Sequence, residues 1–133
     1  MKPIRAHKDL DVWQVSMELV KDVYSITKNF PSDERFGLVL QLRRAVVSIP
    51  SNIAEGASRQ SGKETIQFLY FALGSLSEVE TQVVIARELD YFKEIGPVLG
   101  KILRVRMMLL ALVKRLKEGR EEGRDEERDE ERK

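Results

Sequence analysis

Apolar positions recur along this chain at helical spacing, and no segment alternates as a strand would. A first helix is expected from about Asp9, which can cap it, to about Asn29. Val12, Val15, Leu19, Val23, Ile26 and Phe30 form one stripe, and Trp13, Met17, Val20 and Tyr24 form a second beside it. Together the stripes cover more of the helix than one intramolecular core needs, which predicts an oligomer interface through Trp13, Met17 and Tyr24. Phe30-Pro31-Ser32-Asp33 breaks this helix, and Ser32 or Asp33 is placed to cap a second running from about Glu34 to Ala57. A third is expected over about Gly62 to Leu89, with Ser61-Gly-Lys-Glu64 spaced as a capping box. The fourth starts at Pro97, after the turn Asp90 to Gly96, and runs to about Lys117. Its core arc includes Leu99, Ile102, Leu103, Leu109, Leu110, Val113 and Leu116.

The second helix carries the most information. Leu38, Leu42, Ala45, Val46, Ile49, Ile53, Gly56 and Ala57 share an apolar arc of about 120° at helical spacing. Gln41, Arg44, Ser48, Ser51, Asn52, Glu55 and Arg59 share a polar arc of about 100° nearly opposite. Small hydroxyls and an amide, with arginines at both ends, suit close packing or phosphate contact better than ordinary solvent exposure. Pro50 removes one backbone hydrogen bond, but the apolar phase survives from Ile49 to Ile53, which favours a kinked continuous helix over a break. Gly56 lies on the buried side, where another backbone can approach it. In the third helix, Gly74, Ser75 and Ser77 would likewise permit a close helix crossing.

Four amphipathic helices with short connections predict an all-α, up-down-up-down four-helix bundle over residues 9–117. An arm, residues 1–8, precedes it, and a charged tail, residues 118–133, follows. The tail stacks like charges at i,i+4 and contains Gly119 and Gly123, so it is expected to fray from the fourth helix into disorder. Its 5 basic and 9 acidic residues leave the rest of the chain with 18 basic and 13 acidic ones. A basic body with an acidic tail is compatible with nucleic-acid contact and equally with plain solubility. The absence of cysteine excludes disulfides and thiolate metal sites. No transmembrane stretch or signal peptide is evident, so a soluble, cytoplasmic protein without membrane association is expected.

Catalysis finds little support. The one histidine, His7, lies in the arm, leaving no base for Ser-His chemistry. A di-iron bundle needs two Glu-x-x-His pairs, and there are none; phosphate loops and dinucleotide fingerprints are also missing. No cofactor or metal is expected. Glu55, Glu78 and Glu80 are read as structural partners of arginines rather than acid/base groups. A binding role has better candidates: Arg43, Arg44, Arg59 and Lys63 around the second helix, with Lys101, Arg104 and Arg115 on the fourth, suited to nucleic-acid backbones. No exposed aromatic series accompanies them. The competing reading pairs Arg44 and Arg59 with Glu55 inside the fold.

Asp11-Val-Trp13, Gln41-Leu-Arg-Arg44, Ser48-Ile-Pro50-Ser-Asn52-Ile-Ala-Glu55-Gly56, Arg59, Phe68-Leu69, Gly74-Ser-Leu-Ser-Glu78, Glu80, Gln82 and Leu89-Asp-Tyr91 together make a recognisable pattern. Over residues 9–116 the chain resembles the four-helix-bundle family encoded in intervening sequences of bacterial 23S ribosomal RNA genes. The resemblance implies a ring-like homopentamer and does not imply an enzyme; no enzyme is expected. Related bundles are accessory factors of diversity-generating retroelements, where a basic pentamer engages nucleic acid and a reverse transcriptase. By that likeness, RNA or DNA binding is the leading expectation. Arg43 and Arg44 match the family's basic pair and Arg59 its later arginine. A structural or scaffolding oligomer with a protein partner is the alternative.

Overall fold

The stripes fold into α1 (Asp11–Thr27), α2 (Leu38–Ala57), α3 (Gly62–Glu88) and α4 (Gly96–Glu131), with short 3-10 turns at His7–Asp9 and Ser32–Glu34. The structure is a computed structural model and describes residues 6–131; the first five residues of the expected arm lie outside it. Packing joins α1 to α2, α2 to α3, α3 to α4 and α4 to α1, and no diagonal packing occurs among the described residues. With short connections this is an up-down-up-down bundle, in which α1 and α3 occupy opposite corners and run parallel. Leu19 of α1, Leu42, Ile49 and Ile53 of α2, Leu69 and Leu76 of α3, and Ile102 and Leu109 of α4 fill its centre.

Helix ends depart from the expected ones where caps were misassigned. α1 begins at Asp11, with Leu10 rather than Asp9 at the N-cap position and no side-chain cap; Asp11 instead places a carboxylate in the first turn, where the helix dipole favours it. Ser32 and Asp33 do not cap α2. They form a 3-10 turn with Glu34, and the Glu34 carboxylate accepts a hydrogen bond from the Leu38 N–H at 3.2 Å. Ser61 caps α3 as its spacing predicts, its hydroxyl accepting from the Glu64 N–H at 3.1 Å. α3 closes with Asp90 at φ 61°, the Asp90 N–H donating to Arg87 O and the Tyr91 N–H to Ala86 O. That pattern is a Schellman cap with aspartate in the usual glycine position, and it accounts for the Leu89-Asp-Tyr91 run.

α2 continues through Pro50, whose ring is buried. Nearby side chains turn back on carbonyls of the preceding turn: Ser48 to Ala45 O at 2.6 Å, Ser51 to Val47 O at 2.8 Å and Asn52 to Ser48 O at 2.8 Å. Such back-bonding keeps the face low, though none of the three reaches Val46 O, the carbonyl that Pro50 leaves without its helical donor. Gly56 sits where α2 meets α3: a Cβ there would lie 3.0 Å from Phe68 Cβ and 3.2 Å from Thr65 O. The Thr65 hydroxyl donates to Gly56 O at 2.8 Å and fastens the crossing.

Three expectations are corrected. Gly74 makes no close crossing within the protomer, since a Cβ built on it meets nothing within 4 Å. Leu103 and Leu110 are not core residues; with Met107, 63% exposed, they form an outward apolar ridge on α4. Their arc adjoins the core arc closely enough that periodicity alone merges the two. The tail does not leave the helix, because α4 runs on to Glu131. A helix already nucleated by packing needs no new nucleus, and glutamate and arginine propagate it well.

Gly56→Ala is expected to lower the unfolding free energy by about 1–2 kcal/mol, and Gly56→Leu by more than about 3 kcal/mol, in urea denaturation. The atoms in the way belong to α3's backbone and a Cβ, which cannot swing aside, so the helical preference for alanine is outweighed.

Candidate nucleic-acid interface

Antiparallel packing decides which of the seven predicted basic residues meet. Arg43, Arg44, Lys101 and Arg104 lie toward the end where α2 and α4 begin; Arg59, Lys63 and Arg115 lie toward the opposite end. The bundle therefore divides them into two groups.

Internal contacts divide them again. Arg43 points along the α1–α2 seam: its Nε donates to Thr27 Oγ1 at 3.0 Å, and its guanidinium lies 4.5 Å from the Tyr24 ring centroid. Thr27 Oγ1 donates in turn to Val23 O at 2.7 Å, so a buried threonine relays α1's backbone to a cation on α2. Arg59 pairs with Glu55 at 3.1 Å and covers the Phe68 ring at 4.7 Å. Lys101 reaches Asp22 on α1 at 2.7 Å, on the wall of a cavity of about 570 Å³. Arg106, unremarked by pattern, pairs with Glu80 and ties α4 to α3.

Arg44, Lys63, Arg104 and Arg115 remain exposed and make no ion pair among the described residues. The expected Arg44–Glu55 pair is not formed: eleven residues of continuous helix hold the two about 16 Å apart along the axis, and Glu55 pairs with Arg59 one turn beyond it instead. Lysine and arginine side chains without a carboxylate partner can take phosphate oxygens without first losing an internal bond.

Pattern reading missed one aromatic. Phe36 is 81% exposed, with the Arg35 guanidinium 5.4 Å from its ring centroid, in the connection leading into α2. Its signal was position: an aromatic out of phase with either flanking stripe and followed by Gly37.

The proposed oligomer residues are partly covered. Trp13 and Met17 are half-buried and Tyr24 is 37% exposed. Trp13 packs edge-on against His7 at 5.2 Å, beside an open groove of about 290 Å³ between α1 and α2 that Val20, Pro50 and Ala54 also line. The histidine thus serves packing. Ser48 and Asn52, on the α3 side of α2, spend their donors on the backbone.

The model of the 23S rRNA-intervening sequence protein family matches residues 8–111. The chain belongs to that family. No curated protein matches it. The matched span begins within the first 3-10 turn and ends in α4, so it covers the bundle up to the last buried turns of that helix. Membership and the four-helix architecture support a non-catalytic accessory role. Among the described residues no group of three or more His, Cys, Asp or Glu is arranged to hold a metal ion, and no helix is long and apolar enough to cross a membrane.

The neighbouring arginines of this family member should separate cleanly in urea denaturation. Arg43→Ala loses a cation–π contact and a hydrogen bond and is expected to cost about 1–2 kcal/mol. Arg44→Ala, exposed and unpaired, should stay within about 0.5 kcal/mol of the parent.

Proposed function

We propose that this family member is a non-enzymatic homo-oligomer, a pentamer by its resemblance, that acts as an accessory factor binding RNA or DNA through arginine and lysine contacts to phosphate. The observation that carries this reading is Arg44, an exposed guanidinium on a helix face of small polar side chains, for which the fold has no internal use. Arg104 lies toward the same end of the bundle, and Lys63 and Arg115 toward the other. Repetition of each cation around an assembly would multiply weak single contacts into useful avidity. Arg43, Arg59 and Lys101 are assigned supporting roles, since each already holds an internal partner. Phe36 supplies a stacking surface for an unpaired base beside the cation of Arg35.

A protein partner, a reverse transcriptase among the candidates, is the second reading. The exposed ridge of Leu103, Met107 and Leu110 on α4 favours it, because polymer phosphates give such a surface nothing to bind.

Fluorescence anisotropy with an RNA hairpin and a DNA duplex, titrated with salt, tests the nucleic-acid reading. Affinity should fall log-linearly with salt, and Arg44→Ala should weaken binding to all sequences and flatten the slope by about one per protomer engaged. Phe36→Ala should weaken the hairpin about tenfold and leave the duplex nearly unchanged. Absence of association at low ionic strength would remove this reading and leave the protein-partner one.

A further inference from the structure

Two outward helix faces, at opposite corners of the bundle, carry matching patterns. On α1, Gln14, Met17, Lys21, Tyr24 and Lys28 share an arc of about 80° pointing away from the core. On α3, Phe71, Gly74, Glu78, Thr81 and Ile85 share an arc of about the same width, also pointing outward. The spacings are identical, alternating three and four residues as in a coiled-coil seam.

Aligned in parallel, the two faces complement one another position by position. Lys21 stands opposite Glu78, and both are exposed with no ion pair among the described residues. The bulky Met17 and Tyr24 stand opposite Gly74 and Thr81. Gly74 has open space around it, so it offers a depression that this protomer does not fill. Phe71 and Ile85, 49% and 42% exposed, stand opposite Gln14 and Lys28, whose aliphatic stems can cover them. The α1 face holds cations and no acid; the α3 face holds an acid and no cation. A face of like-charged members repels its own copy and attracts the other face.

From this we infer that α1 of one copy docks in parallel on α3 of the next, with Lys21 against Glu78 and Met17 over Gly74. The inference rests on the homo-oligomer proposed above and specifies its contact. Because α1 and α3 are parallel at opposite corners, each copy offers both halves of the contact. Such a head-to-tail contact repeats from copy to copy, and it closes a ring where the crossing of the two helices adds a rotation about an axis along them.

Sedimentation velocity on the full chain, with circular dichroism as a check of folding, tests it. The parent should sediment as a ring well above monomer mass. Lys21→Glu and Glu78→Lys should each weaken assembly by about tenfold or more, and the double variant, with its charges exchanged, should recover it. Gly74→Leu should also dissociate the ring while leaving the protomer folded, since the added side chain clashes with nothing inside it. An oligomeric parent indifferent to these changes, or a double variant no better than the singles, overturns the pairing of faces while leaving the oligomer standing. A monomeric parent at high concentration overturns the oligomer and this contact together.

Discussion

The contact between α2 and α3 at Gly56 is the constraint on which the other arrangements depend. With 3.0 Å between a would-be Cβ and Phe68 Cβ, the two helices touch nearly backbone to backbone. At that separation only short side chains fit beside the seam, which explains Ser48 and Asn52 on α2 and their back-bonds to its own carbonyls. The hydrogen bond from Thr65 to Gly56 O adds direction to an otherwise non-directional packing contact. Farther along, Gln82 is buried against Gln41, its Nε2 at 3.5 Å from Gln41 Oε1 and its own Oε1 without a partner. A buried, half-satisfied amide costs stability; the seam tolerates it where helix separation is already fixed by Gly56.

Much of this architecture was legible in the chain. Number and order of the helices, and the approximate extent of the first three, follow from 3.6-residue periodicity, and so does the burial of Gly56 on α2. Pro50 was readable because the apolar phase continued across it, so no restart was needed. Errors clustered where local rules compete. Ser32 and Asp33 are better caps than Glu34 by preference, but the chain takes a 3-10 turn first and brings the Glu34 carboxylate to Leu38 N–H. On α4, apolar residues surround so much of the helix that angular sorting cannot separate Ile102 and Leu109, which are buried, from Leu103 and Leu110, which are not.

Charged side chains show a different limit. Their sign and helix face could be read, but the partner of each depends on which helix lies alongside and in what register. Asp22 and Lys101 are 79 residues apart in sequence and 2.7 Å apart in space. Nothing local to either residue announces that pair. Adjacent arginines make the point more sharply. A step of 100° turns Arg43 into the α1–α2 seam, over Tyr24, and leaves Arg44 outside. A basic pair in a helix is therefore a poor unit of function. One member strengthens the fold, and only the other is free to meet a ligand.

The same geometry bears on the excess of apolar surface around this bundle. A pairing of α1 with α1 across a two-fold axis would place Lys21 and Lys28 among their own copies, and a pairing of α3 with α3 would face Glu78 with itself. Like charges across a desolvated contact are penalised, so neither self-complementary arrangement suits these sequences. The mixed contact removes both penalties and seats large residues over small ones. It also leaves Arg44 outside the contact, since α2 contributes nothing to either face. The proposed assembly and the proposed phosphate contact thus draw on different helices, and neither competes with the other for side chains.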